Sequence, residues 1–100
     1  MAKYQYSELA AGDLEGIAEY TFLNFGEKQA RAYRVSIDHA AATVANFPSL
    51  GRPYETKSGT LYFKYNVGEH ALFYRQVGSD ILIIRVLHLV MDFDRHLETR

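Results

Sequence analysis

One hundred residues make one domain's worth of chain, and with 48% hydrophobic and 23% charged residues the composition excludes a disordered polymer and a chain of several lobes. A net charge of −1, split as six acids and four bases in residues 1–50 and six acids and seven bases in residues 51–100, offers no overall field for nucleic acid. Cysteine is absent, which removes disulfides, thiolate nucleophiles and cysteine metal sites. No apolar run reaches the ~18 residues of a membrane span and no signal-peptide core opens the chain, so the expected compartment is the cytoplasm.

Lys3 to Tyr6 alternates polar with aromatic residues and predicts a short strand. Ser7 is suited to cap a helix whose first turn carries Glu8. Ala10, Leu14, Ile17, Ala18 and Thr21 then recur at three- and four-residue spacing and form its expected buried face. Gly12 and Gly16 weaken that helix, which suggests that something packs closely against them. Gly26 after Asn24-Phe25 suits a helix C-terminus. A second helix follows from about Glu27 to Asn46, with an apolar stripe of Ala30, Tyr33, Ile37, Ala40, Ala41, Val44 and Phe47 and with Lys28, Arg31 and Arg34 outside it. So short a link makes the pair an antiparallel hairpin, and Pro48 stops the second helix.

Residues 48–59, PSLGRPYETKSG, read as the longest loop. Three strands in meander order follow, at Thr60 to Asn66, His70 to Val77 and Ile81 to His88, with turns at Val67-Gly68-Glu69 and Gly78-Ser79-Asp80 that force antiparallel pairing. The last strand is apolar on both faces apart from Arg85, the pattern of a sheet interior. A polar tail with Asp92, Asp94, Arg95 and His96 ends the chain. The expected class is α+β: an N-terminal strand, an antiparallel helix hairpin packed on a three- to four-stranded antiparallel sheet, and a short C-terminal helical tail, in one domain over residues 1–100.

Taken in order, Asp13-Leu14, Ile17, Tyr20, Phe25-Gly26, Gln29-Ala30, Tyr33, Phe47-Pro48, Gly51-Arg52, Tyr74-Arg75, the run I-x-I-x-R-V-L-H at 81–88, Met91-Asp92 and His96-Leu97 resemble the ParE branch of the RelE/ParE toxins of bacterial toxin–antitoxin pairs. The resemblance covers roughly residues 4 to 97 and implies that the first strand joins the sheet beside the later ones. It also implies a type II toxin that inhibits DNA gyrase by direct binding, is neutralised by a ParD-like antitoxin, and needs no cofactor. The implied gyrase-contact residues are His88, Met91, Asp92, Arg95 and His96; the implied antitoxin-binding residues are Tyr20, Phe25, Tyr33 and Arg34. Neither a membrane nor sequence-specific nucleic-acid binding by the toxin alone is expected. One departure stands at Val90, where the H-x-R-M-D form has arginine.

The RelE branch contains ribosome-dependent messenger-RNA endonucleases, which need groups to activate a 2′-hydroxyl, stabilise the phosphorane and protonate the leaving oxygen. This chain holds Ala71, Tyr62, Met91 and Leu89 where that branch carries basic residues or tyrosine, leaving Lys64 and His88. Two such groups leave the transition-state charge largely unopposed, so a non-enzymatic inhibitor is expected, with a Lys64/His88 nuclease as alternative and a non-toxic antitoxin-binding member as another. Bland readings stand beside these. His88 also reads as a structural histidine bonded to backbone, Lys64 as a solvated or edge-guarding lysine, Arg85 as half of an ion pair, and the tail as a solvated cap. His39, His70, His88 and His96 are scattered, and Asp92, Asp94 and His96 make no preorganised tetrahedral site, so no metal is expected. Eight tyrosines and six phenylalanines exceed what so small a core can bury, which suits a protein interface or a roof over a thin two-layer fold.

Overall fold

The computed structural model describes residues 2–98. Strand β1 (Tyr4–Tyr6) leads into helices α1 (Glu8–Phe25) and α2 (Glu27–Asn46). A single 3-10 turn at Pro48–Leu50 connects to β2 (Arg52–Glu55), and β3 (Leu61–Val67), β4 (His70–Val77), β5 (Asp80–His88) and α3 (Phe93–Leu97) complete the chain. Ser7 caps α1 as its type predicts: its hydroxyl accepts from the Ala10 N–H at 3.0 Å and donates to the Ile84 carbonyl at 2.7 Å. Gly26 alone separates the helices, at φ +92°, a backbone state that L side chains rarely adopt.

The sheet order is β1-β5-β4-β3-β2, with β1 parallel to β5 and every other pair antiparallel. The apolar run 81–88 is interior, as its two-faced hydrophobicity predicts, and β1 joins the sheet as the resemblance implied. There are five strands rather than three or four, and the sheet is mixed. The extra strand, Arg52–Glu55, lies inside the expected loop of residues 48–59; Pro53 is compatible with it because β2 is an edge.

The helix hairpin covers one face. Leu14, Ile37, Ala41 and Val44 pack there against Leu72, Tyr74, Ile83 and Val86, each fully buried Leu or Ile stabilising the fold by about 1.5–3 kcal/mol. The other face holds Tyr62, Ala71, Phe73 and Leu87, partly roofed by Phe93 and Leu97 of α3. The tail is therefore not merely a solvated cap. Its helix is fastened by Asp94, which accepts from the Tyr54 hydroxyl and from the Lys57 N–H at 2.7 Å.

Four residues expected in buried stripes or tight packing lie elsewhere. Ala18 is exposed because it lies off the face of Ala10, Leu14 and Thr21 that meets the core, and Phe47 is exposed because it lies past the end of α2. Gly12 and Gly16 have nothing within 4 Å of where a Cβ would stand, so open space, not close packing, surrounds them.

Candidate functional site

That open space is a groove of about 880 Å³ along the seam between the hairpin and the C-terminal end of β5. One wall is α1, from Gly12 and Gly16 to Tyr20 and Phe25; the far wall is Gln29 and Tyr33 of α2, the 68–69 turn and His70; Val86, His88, Val90 and Met91 close it. Tyr20 and Phe25 are 64% and 67% exposed, too much apolar surface to be roofing the core.

Beyond Ile83 strand β5 has lost its β1 neighbour, and a side chain takes the missing strand's place. Asp13 of α1 accepts from the Val86 N–H at 2.9 Å and receives both the Nε and an Nη of Arg85 at 2.8 Å. Arg85 also donates to the His96 carbonyl at 2.9 Å, so α1, β5 and α3 meet at one guanidinium. The hydrogen bond and the charge of Asp13 raise the Arg85 pKa against the opposing effect of burial. The partner that a nearly buried arginine requires is thus a carboxylate within the chain.

At the opposite wall, the Tyr33 hydroxyl accepts from the Glu69 N–H at 3.2 Å and lies 3.2 Å from the Val67 carbonyl and 2.6 Å from His70 Nδ1. His70 and His88 are direct cross-strand partners, their ring centroids 5.0 Å apart. Burial, and secondarily the His88 neighbour, lower the His70 pKa below the ordinary histidine value. His88 Nδ1 accepts from the Val90 N–H at 3.2 Å, which leaves Nε2 to carry the proton and face Glu69 at 3.3 Å. His88 is thus bonded to backbone, as its bland reading held, yet it still lines the groove.

The ParE toxin model of the type II toxin–antitoxin system parDE matches residues 4–93. The chain belongs to the ParE toxin family. It is 38% identical over 98 residues to toxin ParE1 of Mycobacterium tuberculosis, spanning 96% of this chain and 98% of that one, and 36% identical to toxin ParE1 of Caulobacter vibrioides, spanning 97% and 99%. Its fold matches a solved structure titled "Chromosomal ParDE TA system from P. aeruginosa" with a TM-score of 0.74 over 89% of this chain and 96% of that one, at 19% identity. The fold is therefore that of the ParE toxins, and the protein is a toxin of a type II toxin–antitoxin system.

Within this ParE fold, the residues singled out from sequence separate into three places. Tyr20, Phe25, Tyr33, His88 and Met91 all line the one groove, although the first three were assigned to an antitoxin and the last two to a target. Arg34 stands apart, 3.1 Å from Asp38 and over the Tyr6 ring. Asp92 and Arg95 are exposed on α3, where Asp92 accepts from the Arg95 N–H at 3.4 Å, and His96 is half-buried with its carbonyl on Arg85. Among the described residues no group of three His, Asp or Glu side chains is suited to a metal ion, and no helix is long and apolar enough to cross a membrane.

Lys64 and His88 lie on opposite faces of the sheet. Strand alternation puts Phe63, Tyr65 and Val67 of β3 on the hairpin face and Lys64 on the other, where its ammonium sits 5.7 Å from the Phe93 ring. His88 shares the hairpin face with Val86 and with His70, which touches α2 through Tyr33. Lys64 is no edge guard either, because β2 lies outside β3. Sequence reasoning missed Gly16, Glu69 and His70 as groove residues; the unexplained helix glycines were the one available signal.

Proposed function

We infer that this toxin acts by binding DNA gyrase rather than by cleaving RNA, and that a ParD-like antitoxin holds it silent in the cytoplasm. One observation carries the choice against cleavage. The two side chains left from the nuclease set, Lys64 and His88, are separated by the thickness of the sheet, so no single phosphate reaches both. General acid–base catalysis needs both groups within hydrogen-bond reach of one reacting centre.

The groove supports recognition of a protein. It combines exposed aromatic surface from Tyr20 and Phe25 with a few fixed polar groups at Tyr33, Glu69 and His88, the composition of a docking site for an amphipathic segment. The antitoxin takes this groove, and His88 and Met91 at its open end, continuing onto Asp92, Arg95 and His96, form the gyrase contact.

Supercoiling by purified gyrase with and without the toxin tests this. Trapped double-strand breaks are expected at excess toxin, and their relief on adding antitoxin. Undisturbed supercoiling, or messages cut on translating ribosomes, refutes the inference. Overexpression without growth arrest points instead to the non-toxic, antitoxin-binding member.

A further inference from the structure

The total charge of −1 conceals an uneven distribution. On the hairpin Arg31 pairs with Glu27 and Arg34 with Asp38, and Arg85 reaches around the free edge of β5 to Asp13 of α1. The opposite sheet face differs. Arg52 of β2, Lys64 of β3 and Arg75 of β4 point from that face, and among the described residues none of them has an ion-pair partner. Lys64 reaches only the Asn66 amide oxygen, at 3.3 Å, and the Phe93 ring, while the Arg75 guanidinium lies 4.8 Å from the Tyr62 ring centroid. The strands put one acid on this face, Asp80 at the start of β5, and it accepts from the Lys3 N–H at 2.9 Å; Asp92, Asp94 and Glu98 approach through α3 and the residues flanking it, and Asp94 is occupied by Tyr54 and Lys57.

The register sharpens the point. Arg52 and Lys64 are direct cross-strand partners, with Cβ atoms about 4.5–5.5 Å apart in such a pair. Like charges so placed destabilise a sheet, and an anion bridging them removes the cost. We propose that the sheet face opposite the helix hairpin, through Arg52, Lys64 and Arg75, contacts the phosphate backbone of duplex DNA without regard to sequence. A single strand would seek exposed aromatic platforms, but Phe73 and Tyr62 are buried and the Arg75 guanidinium lies over the Tyr62 ring. Three cations on a rigid sheet suit a stiff polyanion instead. The choice of DNA over duplex RNA rests on the gyrase reading, since gyrase presents DNA to whatever binds it.

The test measures anisotropy of a short labelled DNA duplex, in two unrelated sequences, against the full-length toxin. Both duplexes are expected to bind equally, with log K falling against log salt at a slope of about −2.7, or about −0.9 per neutralised phosphate. Affinity then drops roughly 40-fold between about 50 and 200 mM salt. Arg52→Gln with Lys64→Gln removes about two-thirds of the slope, adding Arg75→Gln removes the rest, and Lys28→Gln on α2 leaves it unchanged. The double variant also unfolds at a higher temperature than wild type in the absence of DNA, because the like-charge pair is gone.

No salt-dependent duplex binding, binding indifferent to the triple variant, or tighter binding to duplex RNA or a single strand overturns the proposal. Capture of DNA-free gyrase, run in parallel, separates the two readings. Toxin that binds duplex but not gyrase leaves this surface standing and removes the target; the converse removes this surface alone.

Discussion

Arg85 on β5 and Asp13 on α1, 72 residues apart in sequence, form a two-pronged ion pair at 2.8 Å on both prongs with side chains only 12% and 15% exposed. The pair ties the hairpin to the sheet where β1 has run out. Asp13→Ala strands a nearly buried guanidinium and leaves the Val86 N–H without its acceptor, so urea unfolding should give a loss of about 3–5 kcal/mol. Arg85→Met added to it should restore part of that loss; a double variant that loses the sum of both singles refutes the pairing.

Gly16 is the place to fill the groove without disturbing the fold. A Cβ there meets nothing within 4 Å, and its helix interior gains about 0.5–1 kcal/mol from replacing glycine with alanine. Gly16→Ala should therefore raise the melting temperature. Gly16→Leu should keep the fold by circular dichroism but weaken antitoxin binding at least ~10-fold, about 1.4 kcal/mol, by calorimetry. Unchanged binding would place the antitoxin elsewhere.

Gly51 supports the core from a loop. Its N–H donates at 3.0 Å to the hydroxyl of Tyr74, which in turn donates to the Pro48 carbonyl at 2.6 Å. Tyr74→Phe leaves the buried Gly51 N–H unpaired and should cost about 1–3 kcal/mol. Gly51→Ala should cost more, because its Cβ would stand 2.1 Å from the Tyr74 oxygen, which lies within the core. A thermal melt ranks the two; equal stability of wild type and Gly51→Ala would contradict this packing.

The α3 fastening is pH-dependent in both directions. Hydrogen bonds from Tyr54 and then Lys57 lower the Asp94 pKa below 3.8, and the bond to Asp94, followed by burial, pushes Tyr54 up to about 12. A depressed carboxylate contributes stability above its unfolded pKa and loses it as pH falls through the folded value; a raised tyrosine contributes below about 10 and loses its share as pH rises through about 12. Amide exchange in residues 93–97 should stay slow in between, after correction for intrinsic rates, and quicken beyond either limit. Asp94→Asn should flatten the acid limb; an unchanged limb assigns it to another group.

Much of the architecture was legible because the patterns that reveal it are local. Ser7, Gly26 and Pro48 mark helix ends, and the stretch 81–88, apolar on both faces apart from Arg85, marks an interior strand. Strand β2 escaped because Arg52-Pro53-Tyr54-Glu55 has no apolar alternation, and only its position at an edge makes Pro53 acceptable. Phe47 was misplaced because helical spacing shows which residues share a stripe, not that α2 ends before it. The site was half legible. Tyr20, Phe25, Tyr33, His88 and Met91 were singled out, but their convergence on one groove depends on how the hairpin crosses the sheet. The separation of Lys64 from His88 needed the β3–β4–β5 register, which turn lengths alone leave open by one residue, enough to reverse a face.

Strand β1 pairs with β5 in parallel, Tyr4 lying opposite Ile81. During synthesis the first strand to leave the ribosome has no neighbour until the last has emerged, and long-range pairing of this kind is slow to form. A nascent chain halted before residue 81 displays its helices without a finished platform, because the strand that joins β1 to β4 is missing.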